Sequence, residues 1–175
     1  MSSGEAWAIE PLAPRHDRGS FDCGEAPLND FLKKYARQNE DRGVSRTYIA
    51  VQGGKPRVFG YYTLRAGAVE ASGFPKEEAK RLPRYPIPVI HLARLAVDRT
   101  AQGQGVGQAL LASGLKKAVA ASGLAGAFAV EVMAKTDKAG RFYQKHGFRA
   151  FEGDVKHLYL PIATIAQLIK SGLAG

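Results

Sequence analysis

The chain has 175 residues, enough for one domain that buries about 70% of its unfolded surface without covalent staples. Its 45% hydrophobic and 23% charged residues are ordinary for a globular protein, and no apolar run reaches the roughly 20 residues needed to span a bilayer. Twenty-five Lys and Arg against 16 Asp and Glu leave a net charge of +9, which disfavours cationic ligands such as polyamines and favours polyanions, nucleic acid among them. Cys23 is the single cysteine, so no intrachain disulfide forms, and no secretory pattern opens the chain; a cytoplasmic location is the expectation.

In chain order, EAPLNDFLKKYARQNEDR predicts an amphipathic helix. Leu28, Phe31, Leu32, Tyr35 and Ala36 share one face, and Pro27 suits the first turn. RTYIAV and RVFGYYTLRAGAV are β-rich runs joined by QGGKP, which predicts a hairpin. GFPKEEAKRLPRYP, punctuated by prolines, predicts a short helix inside a loop. IPVIHLARLAVD predicts a buried central strand. A glycine-rich turn follows, then a helix whose Leu111, Leu115, Ala118 and Val119 are spaced to lie on a sheet. GAFAVEVMA predicts a further buried strand, and KTDKAGRFYQKHGF a helix capped by Asp137 and ended by Gly147. HLYLPI predicts a closing strand, and Ile162, Ile165, Ala166 and Ile169 a last short helix. This order predicts a single α/β domain over residues 1–175, layered around a mixed sheet.

The glycine-rich turn reads AQGQGVGQ. G-x-G-x-x-G fails, because its third glycine would fall on Gln108 or Leu110, and no G-x-x-x-x-G-K-[ST] string exists. What fits is Q-x-x-G-x-G, on Gln102, Gly105 and Gly107. Glycines let backbone N–H groups approach an anion, and the helix that starts there points its free N–H groups and positive dipole end at the same place. The same spacing also suits a strand-to-helix turn that holds nothing.

RLAVDRTAQGQGVGQALL, followed later by AGRFYQKHGF, resembles the GNAT family of acetyltransferases. FDCGEAPLNDFLKKYA, YYTLRAGAV, YPIPVIHLARLAVD and the final HLYLP resemble more particularly the acetyltransferase toxins of bacterial toxin–antitoxin pairs. The resemblance implies the GNAT fold, a mixed, mostly antiparallel central sheet with helices on both faces. It implies acetyl-CoA as co-substrate and no metal, with an aminoacyl-tRNA as acetyl acceptor. It also implies a ribbon-helix-helix antitoxin through which operator DNA is bound, and a homodimer. On this resemblance the backbones of Leu95, Ala96 and Val97 hold the pantetheine like an added strand. The amides of Gln102, Gly103, Gln104, Gly105, Val106, Gly107 and Gln108 hold the pyrophosphate, and Tyr143 is the general acid.

A phenol titrating near 10 keeps its proton at neutral pH and can hand it to a leaving thiolate. Phe142 and Tyr143 are about 100° apart on a helix, and the expectation is Phe142 toward the core and Tyr143 toward a cleft; both could equally be core aromatics. For a general base, His91 is the candidate on the strand from Ile87 to Val97, with Glu70 and Glu131 as others, while a histidine on a buried strand is often structural. An α-amine near pKa 8 needs less help than a lysine near 10.4, so the lack of a carboxylate on that strand leans toward an α-amine acceptor. Arg94, Lys33, Lys34, Arg37, Arg81 and Arg84 are candidate contacts to tRNA phosphates, or simply solvated surface. Cys23 reads as packing. His16, His91, His146 and His157 show no metal-ligand spacing. The other readings are a GNAT acting on a protein N-terminus or a small amine, and a subunit whose main role is co-repression with a DNA-binding antitoxin.

Overall fold

A computed structural model of the chain describes residues 7–172. The strands are β1 (Trp7–Pro11), β2 (Arg46–Gln52), β3 (Gly60–Val69), β4 (Ile87–Val97), β5 (Ala129–Met133), β6 (Arg149–Phe151) and β7 (Asp154–Pro161). They form one seven-stranded sheet in the order β1-β2-β3-β4-β5-β7-β6. The helices are α1 (Ala26–Asp30), a π turn (Phe31–Tyr35), α2 (Ala36–Asp41), α3 (Lys76–Ala79), α4 (Val106–Ala125), α5 (Asp137–Lys145) and α6 (Ile162–Lys170). No helix among the described residues is long and apolar enough to cross a membrane. The described residues divide into two compact units, residues 7–65 with 93–114 and residues 66–92 with 115–172.

In the first unit β1 pairs antiparallel with β2, and β2 with β3 in the predicted hairpin. The unit's core gathers Phe21, Leu28, Phe31, Leu32, Ile49 and Tyr61. Each large apolar side chain buried this way is worth about 1.5–3 kcal/mol. The predicted helical face is kept with one exception. Leu28, Phe31, Leu32 and Ala36 are buried, but Tyr35 is 51% exposed. The π turn is the reason. The Ala36 amide donates to the Phe31 carbonyl five residues back, so the extra residue swings Tyr35 out and brings Ala36 onto the buried stripe.

In the second unit β4 and β5 run parallel, with Val89–Leu92 beside Ala129–Val132. β5 pairs antiparallel with β7, and β7 with β6. Phe74, Ile87, Val89, Ala129, Phe151 and Tyr159 form its core, with the Phe74 ring 4.9 Å from Phe151 and 5.0 Å from Tyr159. The proline-punctuated loop therefore does more than connect: its Phe74 plugs one face of the sheet.

β1 and β6 are additions to the predicted order. The prediction for the cap of α5 is corrected: Thr136 is the N-cap, its hydroxyl accepting from the Ala139 amide at 3.1 Å, and Asp137 is the first helical residue. There its charge still faces the positive helix end.

Candidate active site

The strand-to-helix turn of the first unit is built around Asp98, which is 2% exposed. Its carboxylate accepts from the Asp22 amide at 3.0 Å, and from the Thr100 amide and hydroxyl at 2.9 and 2.7 Å. Arg57 stands 3.7 Å away. Burial raises the Asp98 carboxyl, but these donors together with Arg57 outweigh it and hold the group below its ordinary value. The Gln102 side-chain Nε2 donates to the Val97 carbonyl at 3.0 Å and to the Cys23 carbonyl at 3.4 Å, closing the corner.

Beyond that corner the backbone opens. Gly103 and Gly105 have φ of +79° and +82°, a region that costs an L side chain, and a Cβ at either would meet nothing within 4 Å. Gly107 lies inside α4 with ordinary helical φ. The amides of Gly103, Gln104, Gly105, Val106, Gly107 and Gln108 donate to no backbone carbonyl among the described residues. Ala109 is the first to do so, to the Gly105 carbonyl at 3.0 Å. A continuous run of free amides over open space, at the positive end of a 20-residue helix, fits an anion the size of a diphosphate. Gly60 on β3 lets this helix start so low. A Cβ there would lie 2.9 Å from Leu110, 3.1 Å from Val106 and 3.1 Å from the Ala96 carbonyl. Leu95, Ala96 and Val97 lie past Leu92, the last rung on which β4 pairs with β5.

Tyr143 stands on α5 of the second unit. Tyr143 is 8% exposed and Phe142 is half-buried, so the tyrosine ring, and not Phe142 alone, turns inward. The 100° step separates the two residues but does not say which turns inward; packing does, with Phe148 edge-on to the Tyr143 ring at 5.3 Å. The other buried tyrosines all have hydroxyl partners. Tyr61 donates to the Leu28 carbonyl, Tyr62 pairs with Ser113 and Tyr159 donates to Glu78. The Tyr143 hydroxyl makes no hydrogen bond among the described residues and is not one of their buried unpaired polar atoms, so its oxygen keeps open surface although the ring is buried. Burial pushes its ionisation well above the usual phenol value, which keeps the proton in place throughout the neutral range.

The second unit also brings two of the candidate bases together. His91 Nδ1 lies 2.8 Å from Glu131 Oε1, although off the line of a hydrogen bond, and His157 Nε2 lies 2.5 Å from Glu131 Oε2. Glu70 is exposed and takes no part. Among the described residues no group of three or more His, Cys, Asp and Glu could hold a metal ion. Cys23 packs on the first core, and burial pushes its thiol up, so it behaves as an inert side chain.

The basic candidates differ in availability. Lys33 and Lys34 are exposed on the π turn, where Lys34 pairs with Asp30 at 3.6 Å, and Arg37 is half-buried. Arg94 is not a free surface cation: its guanidinium stacks 3.6 Å over the Phe31 ring. Arg81 and Arg84 are exposed in the second unit.

The acetyltransferase (GNAT) domain family matches residues 44–150. A tRNA-acetylating toxin of Mycobacterium tuberculosis is 38% identical over 158 residues, covering 90% of this chain and 93% of that one. The solved structure of AtaT complexed with acetyl-methionyl-tRNAfMet superposes with a TM-score of 0.87 at 34% identity, covering 94% of this chain and 99% of that one. AtaTR bound with AcCoA gives a TM-score of 0.81 at 34% identity, covering 93% of this chain and 98% of that one. A KacTA–DNA complex gives 0.80 at 33%, covering 95% and 99%. The domain match takes in more than half of the sequence, together with the open amide run and Tyr143, so the chain belongs to the GNAT family of acetyltransferases.

Proposed function

We propose that the chain transfers the acetyl group of acetyl-CoA to the α-amine of an aminoacyl-tRNA, stopping translation as a toxin that a cognate antitoxin neutralises. The observation that carries the coenzyme half of this reading is the run of unpartnered amides from Gly103 to Gln108. The acceptor half is supported by the tRNA-acetylating relative, by the tRNA-bound AtaT structure and by the +9 charge.

When bound, acetyl-CoA supplies a carbonyl carbon activated by a good thiolate leaving group. The amides from Gln102 to Gln108 grip the diphosphate, and the extended backbone of Leu95, Ala96 and Val97 lines up the pantetheine. Tyr143 keeps its phenolic proton until sulfur needs it. Lys33, Lys34, Arg37, Arg81 and Arg84 attract the phosphates of the acceptor, and Arg94 is held by Phe31 to do the same from a fixed position. Residues 1–175 act as one acetyltransferase domain in the cytoplasm. The KacTA–DNA likeness supports a toxin–antitoxin pair that binds DNA; in this reading the antitoxin is of the ribbon-helix-helix type and the toxin is a homodimer.

Charged tRNA incubated with the protein and acetyl-CoA, then digested by nuclease, should yield N-acetyl-aminoacyl-adenosine by mass spectrometry. Tyr143→Phe should lower the rate about 10²–10⁴-fold while acetyl-CoA still binds. Acetyl appearing on protein N-termini and never on tRNA would reject the acceptor.

A further inference from the structure

We propose that His91 is the proton acceptor for the attacking amine, with Glu131 as its positioning residue and His157 as the clamp on Glu131; this rests on the acetyltransferase reading above. The three side chains stand on adjacent strands of one unit, β4, β5 and β7. His91 and Glu131 are register partners on the rung before the last of the parallel pair, Leu92 and Val132. In open α/β sheets ligands bind at the carboxyl ends of parallel strands, which is where this rung lies.

The carboxylate is held from both sides. His157 takes one oxygen and is itself stacked on Phe151, ring centroids 3.9 Å apart, so Glu131 cannot turn away from His91. Burial raises the Glu131 carboxyl, but the two histidines outweigh it and keep it below its ordinary value, hence ionised. The Glu131 carboxylate, 2.8 Å from Nδ1 although off the line of a hydrogen bond, favours the tautomer with its proton on Nδ1, which leaves the Nε2 lone pair free. Nε2 makes no hydrogen bond among the described residues. On β3 the neighbour is Gly67, which adds no charge and no side chain; a Cβ there would come within 3.5 Å of the His91 Cβ. Tyr159, the register partner of Glu131 on β7, pairs with Glu78, and Glu78 with Arg149.

The step balances. The charged amine first gives one proton to His91 Nε2, and the lone pair this frees forms the N–C bond to the acetyl carbon while the C–S bond breaks with its pair on sulfur. Tyr143 gives its proton to sulfur, and the remaining extra amine proton returns to the Tyr143 phenolate. His91 then gives its proton to solvent to recover its starting state.

Two measurements test this. Long-range proton–nitrogen NMR on the ligand-free protein should find His91 as the Nδ1–H tautomer, lost in Glu131→Gln; an Nε2–H tautomer overturns the proposal whatever the substrate is. An amine titrating near 8 is roughly one-tenth neutral at pH 7. His91→Gln should therefore lose about tenfold in kcat/KM on charged tRNA at pH 7 and almost nothing at pH 9, with acetyl-CoA affinity unchanged. A loss equal at both pH values, or no loss at either, overturns the base assignment. Wild-type protein inactive on every charged tRNA would instead reject the acceptor, and the NMR result would still judge the histidine.

Discussion

Replacing Gly60 by alanine should disturb the coenzyme loop without touching it. The new methyl carbon would sit 2.9 Å from Leu110 Cδ1, 3.1 Å from Val106 Cγ1 and 3.1 Å from the Ala96 carbonyl oxygen. Leu110 is the flexible end of a side chain and yields cheaply. Val106 is β-branched and stiff, and the Ala96 oxygen is backbone, so the first turn of α4 must move outward. Overpacking of this kind costs about 1–3 kcal/mol, and each kcal/mol lowers Tm by about 2–4 °C in a chain of this size. Because Val106 begins the helix, its displacement tilts the free amides beside it, and acetyl-CoA should bind more weakly by calorimetry. Gly123→Ala is the internal control. It lies in the same helix with nothing within 4 Å of the added carbon, so it should raise stability by up to about 1 kcal/mol and leave coenzyme affinity alone. Gly60→Ala with wild-type Tm and wild-type affinity would refute the claim that close packing at Gly60 sets the loop.

Other perturbations have equally definite outcomes. Gly105→Ala should cost about 1–2 kcal/mol of backbone strain and weaken acetyl-CoA binding in the same titration, since φ there is +82°. Asp98→Ala strands the Asp22 and Thr100 amides and should lower stability by about 3 kcal/mol in urea unfolding, at roughly 1–3 kcal/mol per buried orphan. Glu131 has a lowered native pKa, so its stabilisation is present above the ordinary carboxylate value of 4.5 and is lost as pH falls through the native value. Glu131→Gln should accordingly be less stable than wild type at pH 7, with the gap closing below pH 4.5. If cationic side chains hold tRNA phosphates, Lys33→Ala should make the slope of log affinity against log salt shallower by roughly 0.7–0.9 for the one phosphate it neutralises; an unchanged slope would remove Lys33 from the interface.

Much of this was legible in the residues. Local periodicity carried α4, α5 and the β2–β3 hairpin, and the glycine spacing carried the loop. β1 escaped because its five residues alternate poorly between inside and outside, and β6 because it is three residues ending in a bulge. The π turn escaped because helical spacing assumes 3.6 residues throughout. Asp98 carries a local signal, an acid followed two residues later by threonine at the end of an apolar run, which marks a capped corner. Gly60 carries none, since the atoms that crowd it are 36 to 50 residues away in sequence. The union of His91, Glu131 and His157 is likewise a product of strand register, which no short window contains.

Amide NMR on labelled protein tests the central claim most directly. Acetyl-CoA should shift the amide signals of Gly103 to Gln108 together, and acetyl-pantetheine, which lacks the diphosphate, should leave them in place. Signals that stay still with the whole coenzyme, or move equally with the truncated one, would contradict the account.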